Sequence, residues 1–498
     1  MTALGDPGGL LFGIGLYLVA IVAVGFVTWR RNRTLDDYVL AGRNLSPFSA
    51  ALSERASGES GWFLVGLPGA AYVSGFGEFW TVIGSSFGIF FSWTLLARLL
   101  NSETRRLGAL TIPDYLESRF DDGTRVLRVT AIVIILFFYT SYVAFQFNAA
   151  GILLETAFGL EPALGMLIAA AVVVLYTFMG GFLAVVWTDV VQGLLMAVVV
   201  VALPLLGLLR LQEMGGLVAV LESADPQLLT MSGGNAGWGF VNGVMFGGLM
   251  WGLGYLGQPH LLTRFMAMRR PEDATLGRKV AVSWVLLAYW GAAFTGIVAI
   301  GLLPGLEAAD RERVMPLMAT LLLPAWLAGL AIAGGIAAMM STADSQLLVA
   351  TSAVIEDIYV RLFRPQVSAA RLVLLSRLAT IGIAAVALVL AYRNQDFVFD
   401  SVEYAWTGLA SSFAPVLLLG LRWQRMSRVG AMAGMVGGMV STVIWKNVDG
   451  LGALLDIKLA TFLIALLLAV LGSLLAPPRA EGLTATSGLR AARDGRQG

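Results

Sequence analysis

Residues 45–75, LSPFSAALSERASGESGWFLVGLPGAAYVSG, have the length of a membrane-spanning helix but contain residues that weaken one. Three ionisable side chains, Glu54, Arg55 and Glu59, lie among several glycines and serines. Glycine is a poor helix former, and serine hydroxyls compete for backbone hydrogen bonds. In lipid, backbone groups freed from a helix are costly unless something binds them. We therefore predict that this helix unwinds near residues 57–61 and that the freed groups bind an ion and a polar solute.

The ionisable side chains of this segment also have a purely structural interpretation. Arg55 and Glu59 are four residues apart, so they can form a salt bridge on one face of the helix. Glu54 would then face cytoplasmic water. An ionisable residue inside a membrane span is nevertheless a functional candidate by default.

The composition indicates an all-α polytopic membrane protein. Of the 498 residues, 58% are hydrophobic and 13% are charged. A soluble domain has about a quarter charged residues. The mean hydropathy is +0.80. Apolar runs of about 20 residues, long enough to cross the hydrocarbon core as helices, recur along the chain.

The residue types exclude several kinds of site. The chain has no cysteine and one histidine, His260, so disulfides and cysteine-ligated metals are excluded. We expect His260 to be a hydrogen-bonded structural residue. No nucleophile–base pair, metal cluster or nucleotide-binding loop is recognisable. We therefore expect a protein that is not an enzyme, has no organic cofactor, binds no nucleic acid and needs no obligate protein partner.

Thirteen apolar segments are predicted to cross the membrane. Their approximate ranges are 10–29, 48–77, 80–102, 127–155, 162–180, 185–208, 238–265, 279–303, 316–346, 373–393, 402–421, 429–447 and 457–476. With the N-terminus outside, most of the 33 Lys and Arg residues, including RRNR at 30–33, face the cytoplasm, as the positive-inside rule requires. We predict one transmembrane domain, residues 1–476, in the cell membrane and a polar cytoplasmic tail, residues 477–498.

Two sets of five predicted spans, residues 48–208 and 238–421, indicate an inverted repeat. Because five is odd, the second set begins on the opposite side of the membrane. Inverted repeats are common in secondary transporters, whose sites lie near the midplane on discontinuous helices. A membrane sensor module is the weaker alternative, because the chain ends soon after the last predicted helix.

Seven segments, in order along nearly the whole chain, resemble the sodium:solute symporter family. They are DDYVLAGRNLSPF (36–48), SGWFLVGLPGAAYVSG (60–75), LTIPDYLESRF (110–120), LYTFMGGFLAVVWTDVVQ (175–192), WGLGYLGQPHLLTRFMA (251–267), AAMMSTADSQLLVATSAVIEDIY (337–359) and EYAWTGLASSFAPVLLL (403–419). Single motifs are weak, but the ordered set is specific and is most similar to the bacterial sodium/proline symporters.

The resemblance implies a thirteen-helix fold, with the second to eleventh helices forming two inverted repeats of five. It also implies a secondary active symporter that couples inward Na⁺ movement to uptake of a small zwitterionic solute, with L-proline as the leading candidate. A proton-coupled symporter, or one for another solute, is the alternative.

The resemblance also implies a sodium site. Its ligands are backbone oxygens at Ala56 and Glu59 together with Ala338, Ser341 and Thr342. This oxygen set suits Na⁺, a hard cation that must also be released again. The residues alone leave an alternative, since Ser and Thr often bond back to their own helix in membrane spans.

A second cation or proton site is implied near Asp189, which matches an acidic position of the family linked to sodium. Asp344 and Ser345 are expected to approach it. The structural alternative for Asp189 is a helix cap near a short turn.

The implied solute pocket contains six residues. They are Ser60, Gly61, Trp62, Tyr142, Trp251 and Tyr255. A proline ring is apolar and fits against indole and phenol faces, and its secondary ammonium is attracted to an aromatic face. On spacing alone, the i,i+4 aromatic pair on the seventh span is more typical of packing than of a pocket, and its place in the family motif is what favours the pocket.

The chain departs from its relatives within the opening segment. The sodium/proline symporters typically have Ala-Ser-Asp-Met-Ser-Gly-Trp, whereas this chain has Gly58 and Glu59 at the aspartate and methionine positions. Glu54 and Arg55 replace small residues. Glu59 then either supplies the missing charge of the sodium site or binds a proton. Alternatively, Arg55 neutralises the site or binds a solute carboxylate.

Overall fold

The computed structural model describes residues 6–29, 40–179, 181–363, 367–393 and 397–478, and long helices dominate these ranges. Thirteen helical spans correspond one for one to the predicted spans, which confirms the all-α fold. We number them α1 (Pro7–Trp29), α2 (47–74), α3 (79–107), α4 (Val126–Phe158), α5 (Pro162–Met179), α6 (Phe182–Gln212), α7 (239–267), α8 (Ala274–Leu302), α9 (Ala325–Ser352, continuing as π-helical turns over Ala353–Phe363), α10 (Ala369–Arg393), α11 (Val398–Arg422), α12 (Arg428–Asn447) and α13 (Ile457–Leu475).

Ten helices among the described residues meet the length and hydropathy of a membrane span. The longest, Pro47–Leu107, contains both α2 and α3. The apolar part of α5 is shorter, Pro162–Leu175, and α7 is interrupted. The joining of α2 and α3, the shorter α5 and the interrupted α7 account for the difference from thirteen.

The outward faces of several helices carry exposed apolar side chains. Val19 of α1 is 70% exposed, Leu374 of α10 is 56% exposed and Leu467 of α13 is 57% exposed. Charged side chains such as Arg55 of α2 are instead buried in the interior. This inside-out distribution, with spans of this length, is that of a multi-pass membrane protein.

Helix α2 is interrupted near its middle, as predicted. Its first part, Pro47–Gly61, begins at Ser46, whose hydroxyl accepts the Ser49 amide at 3.1 Å. Ser60 has φ 50° and ψ −172°, a left-handed φ that a regular α-helix does not contain. The chain resumes as one π-helical turn, Trp62–Gly66, and then as the α-helix Leu67–Ser74.

Helix α7 is also discontinuous. It runs through π-helical and 3₁₀ turns to Leu256, and an α-helix restarts at Pro259–Ala267. Gln258 between them is extended, with φ −90° and ψ 106°. Proline suits the first turn of the new helix because it lacks an N–H. Thus the first helix of each predicted set of five is interrupted, the arrangement expected of an inverted-repeat transporter.

The boundary of the ninth span differs from the prediction. The apolar run 316–346 forms two helices, Val314–Leu322 and Ala325–Ser352. Leu323 between them is extended, with φ −117° and ψ 148°. The cause is Pro324, which disfavours helical geometry in the residue before it.

Glycines allow α3 and α7 to touch backbone to backbone. A Cβ on Gly84 of α3 would lie 2.4 Å from the Leu249 carbonyl oxygen, and a Cβ on Gly252 of α7 would lie 2.1 Å from the Gly84 oxygen. Small residues at such crossings are typical of membrane helices. This contact fixes the irregular part of α7 against a regular helix.

The segments before α2 and after α7 are joined. The Leu45 amide donates to the Ala267 carbonyl at 3.1 Å, and the Arg269 amide donates to the Leu45 carbonyl at 3.0 Å. Arg105 of α3 donates to the Arg269 carbonyl at 3.1 Å. The ends of the two discontinuous helices are therefore held together on one side of the protein. The RRNR segment at 30–33 and residues 479–498 of the predicted tail lie outside the described residues.

Candidate ion- and solute-binding site

Four residues of the predicted sodium site meet between α2 and α9. The Ser341 hydroxyl donates to the Ala56 carbonyl at 2.9 Å, and the Thr342 hydroxyl donates to the Ser57 carbonyl at 2.9 Å. Both hydroxyls also lie 3.1 Å from the Ala338 carbonyl. All five residues are fully buried. The contacts across to α2 show that these hydroxyls do more than bond back to their own helix.

Glu59, the fifth predicted residue of this site, lies at the break itself. Its carbonyl accepts the Trp62 amide, and its carboxylate points to Arg55. The neighbouring carbonyl and hydroxyl oxygens form a neutral, hard donor set of the kind that fits Na⁺. Residue types and placement therefore suit the ion that the sequence predicts.

Asp189 of α6 is the centre of a second buried cluster. Its Oδ2 accepts hydrogen bonds from Ser53 at 2.6 Å, Ser57 at 2.9 Å and Arg264 at 3.0 Å. Arg264 also donates to the Ser345 hydroxyl at 2.7 Å. Asp189 lies inside the helix Phe182–Gln212, so the helix-cap alternative is wrong.

Asp344 approaches this cluster, as predicted. Its Oδ1 accepts the Ser345 hydroxyl at 3.2 Å. The other oxygen of Asp344 and Oδ1 of Asp189 have no hydrogen-bond partner among the described residues. The positive charge facing Asp189 here belongs to Arg264.

Arg264 was not selected from the sequence. It is fully buried in α7, and its guanidinium carbon lies 4.9 Å from the centre of the Phe182 ring. A signal existed, because an arginine within the apolar motif WGLGYLGQPHLLTRFMA is ionisable at membrane depth. Phe182 also lines a small cleft with Thr111, Pro259 and Asp357. The Phe182 ring thus contacts both the cleft and Arg264 of the Asp189 cluster.

His260 is a buried structural residue, as expected. One ring nitrogen lies 2.9 Å from the Tyr139 hydroxyl and the other lies 3.2 Å from the Ser57 carbonyl. The ring therefore also supports the backbone of α2 beside the predicted sodium site.

The break in α2 faces α4. The Tyr142 hydroxyl donates to the Ser60 hydroxyl at 3.2 Å, and the Gly61 amide donates to the Gln146 side-chain oxygen at 2.8 Å. A Cβ on Gly61 would lie 2.7 Å from the Ala149 Cβ, so glycine permits this close approach. Gln146, which was not selected from the sequence, therefore accepts a backbone amide at the break.

Three of the four predicted aromatic residues, Trp62, Trp251 and Tyr255, belong to one cluster. The Trp62 and Trp251 rings are 5.1 Å apart, and Trp251 stacks on Phe399 at 4.9 Å with an interplanar angle of 15°. Trp62 also contacts Tyr289 at 5.6 Å, whose hydroxyl lies 2.6 Å from that of Tyr255. Tyr289 comes from α8, an apolar span with no sequence signal of a site.

Several buried polar atoms around this cluster have no hydrogen-bond partner among the described residues. They are the indole nitrogens of Trp62 and Trp251, Nε2 of Gln146 and Oε2 of Glu59. Buried polar groups are normally paired, so such a group needs an explanation. The three donors suit a negatively charged group of a ligand, and the carboxylate oxygen suits a positively charged group of the same ligand.

The ionisable residues of the opening segment are all buried. Arg55 forms a bidentate ion pair with Glu54, with Nε 2.6 Å from Oε2, and Trp93 donates to the same oxygen at 3.0 Å. Arg55 Nη1 lies 3.3 Å from Glu59 Oε1, which confirms the expected pair. Glu54, expected to face water, is instead fully buried, because its charge is satisfied by Arg55 and Trp93.

Comparisons with known proteins agree with these observations. Residues 38–438 match the profile of the sodium:solute symporter family. The chain is 38% identical to the sodium/proline symporter of Escherichia coli (strain K12), over 88% of each chain. It is also 38% identical to the high-affinity proline transporter PutP of Bacillus subtilis (strain 168), over 86% of this chain and 90% of the relative.

The fold matches that of solved transporters. A Na⁺-coupled sialic acid symporter in a substrate-bound outward-open state superposes with a TM-score of 0.76 and 21% identity, over 96% of this chain and 99% of that chain. Mhp1, a nucleobase-cation-symport-1 family transporter, superposes with a TM-score of 0.52 and 15% identity, over 87% of this chain and 93% of that chain. These two likenesses concern the fold alone. From the profile match and the sequence identities, this chain is a member of the sodium:solute symporter family, a transporter and not an enzyme.

Proposed function

We propose that this protein couples the inward movement of Na⁺ to the uptake of L-proline. The observation that carries the proposal is the break in α2 at Ser60. On one side of the break, the Ala56 carbonyl meets the Ser341 hydroxyl of α9, and on the other side Trp62 joins the aromatic cluster. The relatives that carry the words sodium and proline in their names support this ion and solute.

Sodium is bound between α2 and α9 by the carbonyls of Ala56, Glu59 and Ala338 and the hydroxyls of Ser341 and Thr342. Neutral oxygens bind the ion while allowing its release. Because the ligands come from two helices, bound Na⁺ holds α2 against α9. Holding α2 in this way affects its backbone a few residues before the solute site. This effect couples the affinity for Na⁺ to the affinity for the solute.

The solute is bound on the other side of the break. Its carboxylate accepts hydrogen bonds from indole N–H groups of Trp62 and Trp251, which have no partner among the described residues. Its pyrrolidine ring lies against the faces of the aromatic cluster, and Ser60, Gly61, Tyr142 and Tyr255 complete the pocket. An apolar lining with a few convergent polar groups is typical of small-molecule sites.

The remaining parts of the proposal concern organisation. The N-terminus is outside and the C-terminus is cytoplasmic, within one transmembrane domain whose repeats are residues 48–208 and 238–421. Asp189, Asp344 and Ser345 form a second cation or proton site, which requires Arg264 to move away from Asp189.

The test is uptake into proteoliposomes that contain the purified protein. An inward Na⁺ gradient at equal pH should drive accumulation of labelled L-proline above equilibrium, and a proton gradient without Na⁺ should not. Accumulation driven by the proton gradient alone would make the protein a proton symporter. A panel of labelled amino acids in which proline is not taken up would refute the proposed solute.

A further inference from the structure

We propose that the side-chain carboxylate of Glu59 binds the ammonium group of the solute. This inference rests on the proposed function and deepens it, because it assigns a specificity-determining residue that the family pattern lacks. Where this chain has Glu59, the sodium/proline symporters typically have methionine. The preference of this protein for a solute with an ammonium group would therefore depend on a residue that its relatives lack.

The charges of the buried ionisable residues in α2 do not balance. Glu54, Arg55 and Glu59 form a fully buried group of two carboxylates and one guanidinium. Arg55 uses two nitrogens on Glu54, which also accepts the indole N–H of Trp93. With both carboxylates ionised, the single guanidinium of Arg55 compensates only one of the two negative charges. A buried group with more negative than positive charge is costly, so this position favours a further cation.

One oxygen of the Glu59 carboxylate has no hydrogen-bond partner among the described residues. Oε1 of Glu59 faces Arg55 at 3.3 Å, whereas Oε2 is buried and has no hydrogen-bond partner among the described residues. The residue is fully buried and so is shielded from bulk water. An ammonium N–H donor would satisfy this acceptor and neutralise the surplus charge together.

Aromatic side chains lie around the ion-paired group of Glu54, Arg55 and Glu59. The Arg55 guanidinium carbon lies 5.1 Å from the centre of the Tyr255 ring, and the Tyr255 hydroxyl lies 2.6 Å from that of Tyr289. Tyr289 in turn contacts Trp62, three residues after Glu59 in the chain. Aromatic faces attract organic cations, and Na⁺ prefers several oxygen ligands.

Hydrogen-bond donors without a partner in the described part of the chain belong to the same site. Trp62 and Trp251 present indole N–H groups that lack a partner among the described residues, and these cannot bind any cation. They suit the carboxylate of the same solute. An amino acid places its carboxylate and ammonium groups on one carbon, so a single zwitterion pairs with both kinds of atom.

The experiment compares L-proline with tetrahydrofuran-2-carboxylate, which has the same ring size and carboxylate but an ether oxygen in place of the ammonium. Each compound competes with labelled proline for Na⁺-driven uptake by the full-length protein in proteoliposomes. The variants are Glu59→Gln, which is neutral, and Glu59→Asp, which keeps the charge. Glu155→Gln is the control. Glu155 lies outside the aromatic cluster, and its carboxylate accepts a hydrogen bond from Arg313 at 3.0 Å.

We expect Glu59→Gln to raise the half-saturating proline concentration about ten- to a hundredfold, the usual effect of losing a hydrogen bond to a charged group. The preference for proline over the ether should fall by the same factor. Glu59→Asp should retain part of the preference, and Glu155→Gln should keep all of it. The Na⁺ concentration for half-maximal uptake, measured at saturating proline, should not change in Glu59→Gln, because the variant keeps the backbone carbonyl.

Each other outcome is decisive. An unchanged preference for proline over the ether in Glu59→Gln refutes the inference while the proposed function stands. A weaker Na⁺ dependence with an unchanged preference assigns the carboxylate to the ion and also refutes it. Failure of the wild-type protein to take up proline refutes the proposed function and the inference together. If Glu59→Gln does not fold, an unchanged preference for proline over the ether in Glu59→Asp refutes the ammonium contact.

Discussion

Replacing Ser341 by alanine should weaken the dependence of transport on Na⁺ while leaving the solute site intact. The Ser341 hydroxyl lies 2.9 Å from the Ala56 carbonyl and 3.1 Å from the Ala338 carbonyl, so it belongs to the oxygen group between α2 and α9. The side chain is fully buried, and water does not readily replace the lost hydroxyl. Alanine keeps the helix and removes one oxygen.

The magnitude follows from the loss of one polar partner in a buried group. Such a loss costs about 1–3 kcal/mol. The Na⁺ concentration for half-maximal uptake should therefore rise about 5- to 150-fold. The half-saturating proline concentration measured at saturating Na⁺ should change little, since Ser341 does not contact the aromatic cluster.

The assay is initial-rate uptake of labelled proline into proteoliposomes over a series of Na⁺ concentrations. Thr351→Ala is the matched control, because Thr351 lies on the same helix and its hydroxyl pairs with Thr380 at 2.9 Å. That variant loses a buried hydroxyl but should keep the wild-type Na⁺ dependence. An unchanged half-maximal Na⁺ concentration in Ser341→Ala, with a lower maximal rate, would refute the sodium site between α2 and α9.

Three further predictions concern packing, charge and pH. Gly252→Ala should lower the free energy of unfolding by about 3 kcal/mol, because its Cβ would lie 2.1 Å from a backbone oxygen of α3. Asp189→Asn should cost about 3–5 kcal/mol, because Arg264 is left buried without its carboxylate; adding Arg264→Gln should restore part of the Tm. Asp122 lies outside the membrane spans; burial raises its pKa, but hydrogen bonds from a hydroxyl, two amides and a guanidinium outweigh this and hold the pKa below its usual value. Asp122→Asn should therefore lower the Tm at neutral pH, and the difference should vanish as the pH falls through the folded-state pKa.

Thermal unfolding of the detergent-purified protein checks all three. A wild-type Tm in Gly252→Ala would mean that α3 and α7 do not touch at this crossing. The same result in Asp189→Asn would show that the charge pair is not formed. A Tm difference for Asp122→Asn that persists at acid pH would contradict the hydrogen-bonded carboxylate.

The fold was accessible from the sequence because it depends on hydropathy and on helix-weakening residues. The apolar runs gave the thirteen spans, and the glycines and serines of residues 57–61 located the break now seen at Ser60. The error at the ninth span has a local cause, Pro324 within a continuous apolar run. Hydropathy alone does not register such an interruption, although the proline does.

The site was accessible where a motif carried it and inaccessible where packing decides. Ser341 and Thr342 meet α2 as the family resemblance implied. Tyr289 and Gln146 were missed, because their roles depend on which helix packs beside the break. The burial of Glu54 likewise depends on Trp93, a distant residue that no local pattern connects to it.

The most direct test of this account is an experimental structure of the protein determined with Na⁺ and L-proline. We expect cation density between the Ala56 carbonyl and the Ser341 and Thr342 hydroxyls, and solute density against Trp62, on the two sides of an α2 that remains interrupted at Ser60. A continuous α2 helix, or a cation and solute bound away from this break, would contradict it.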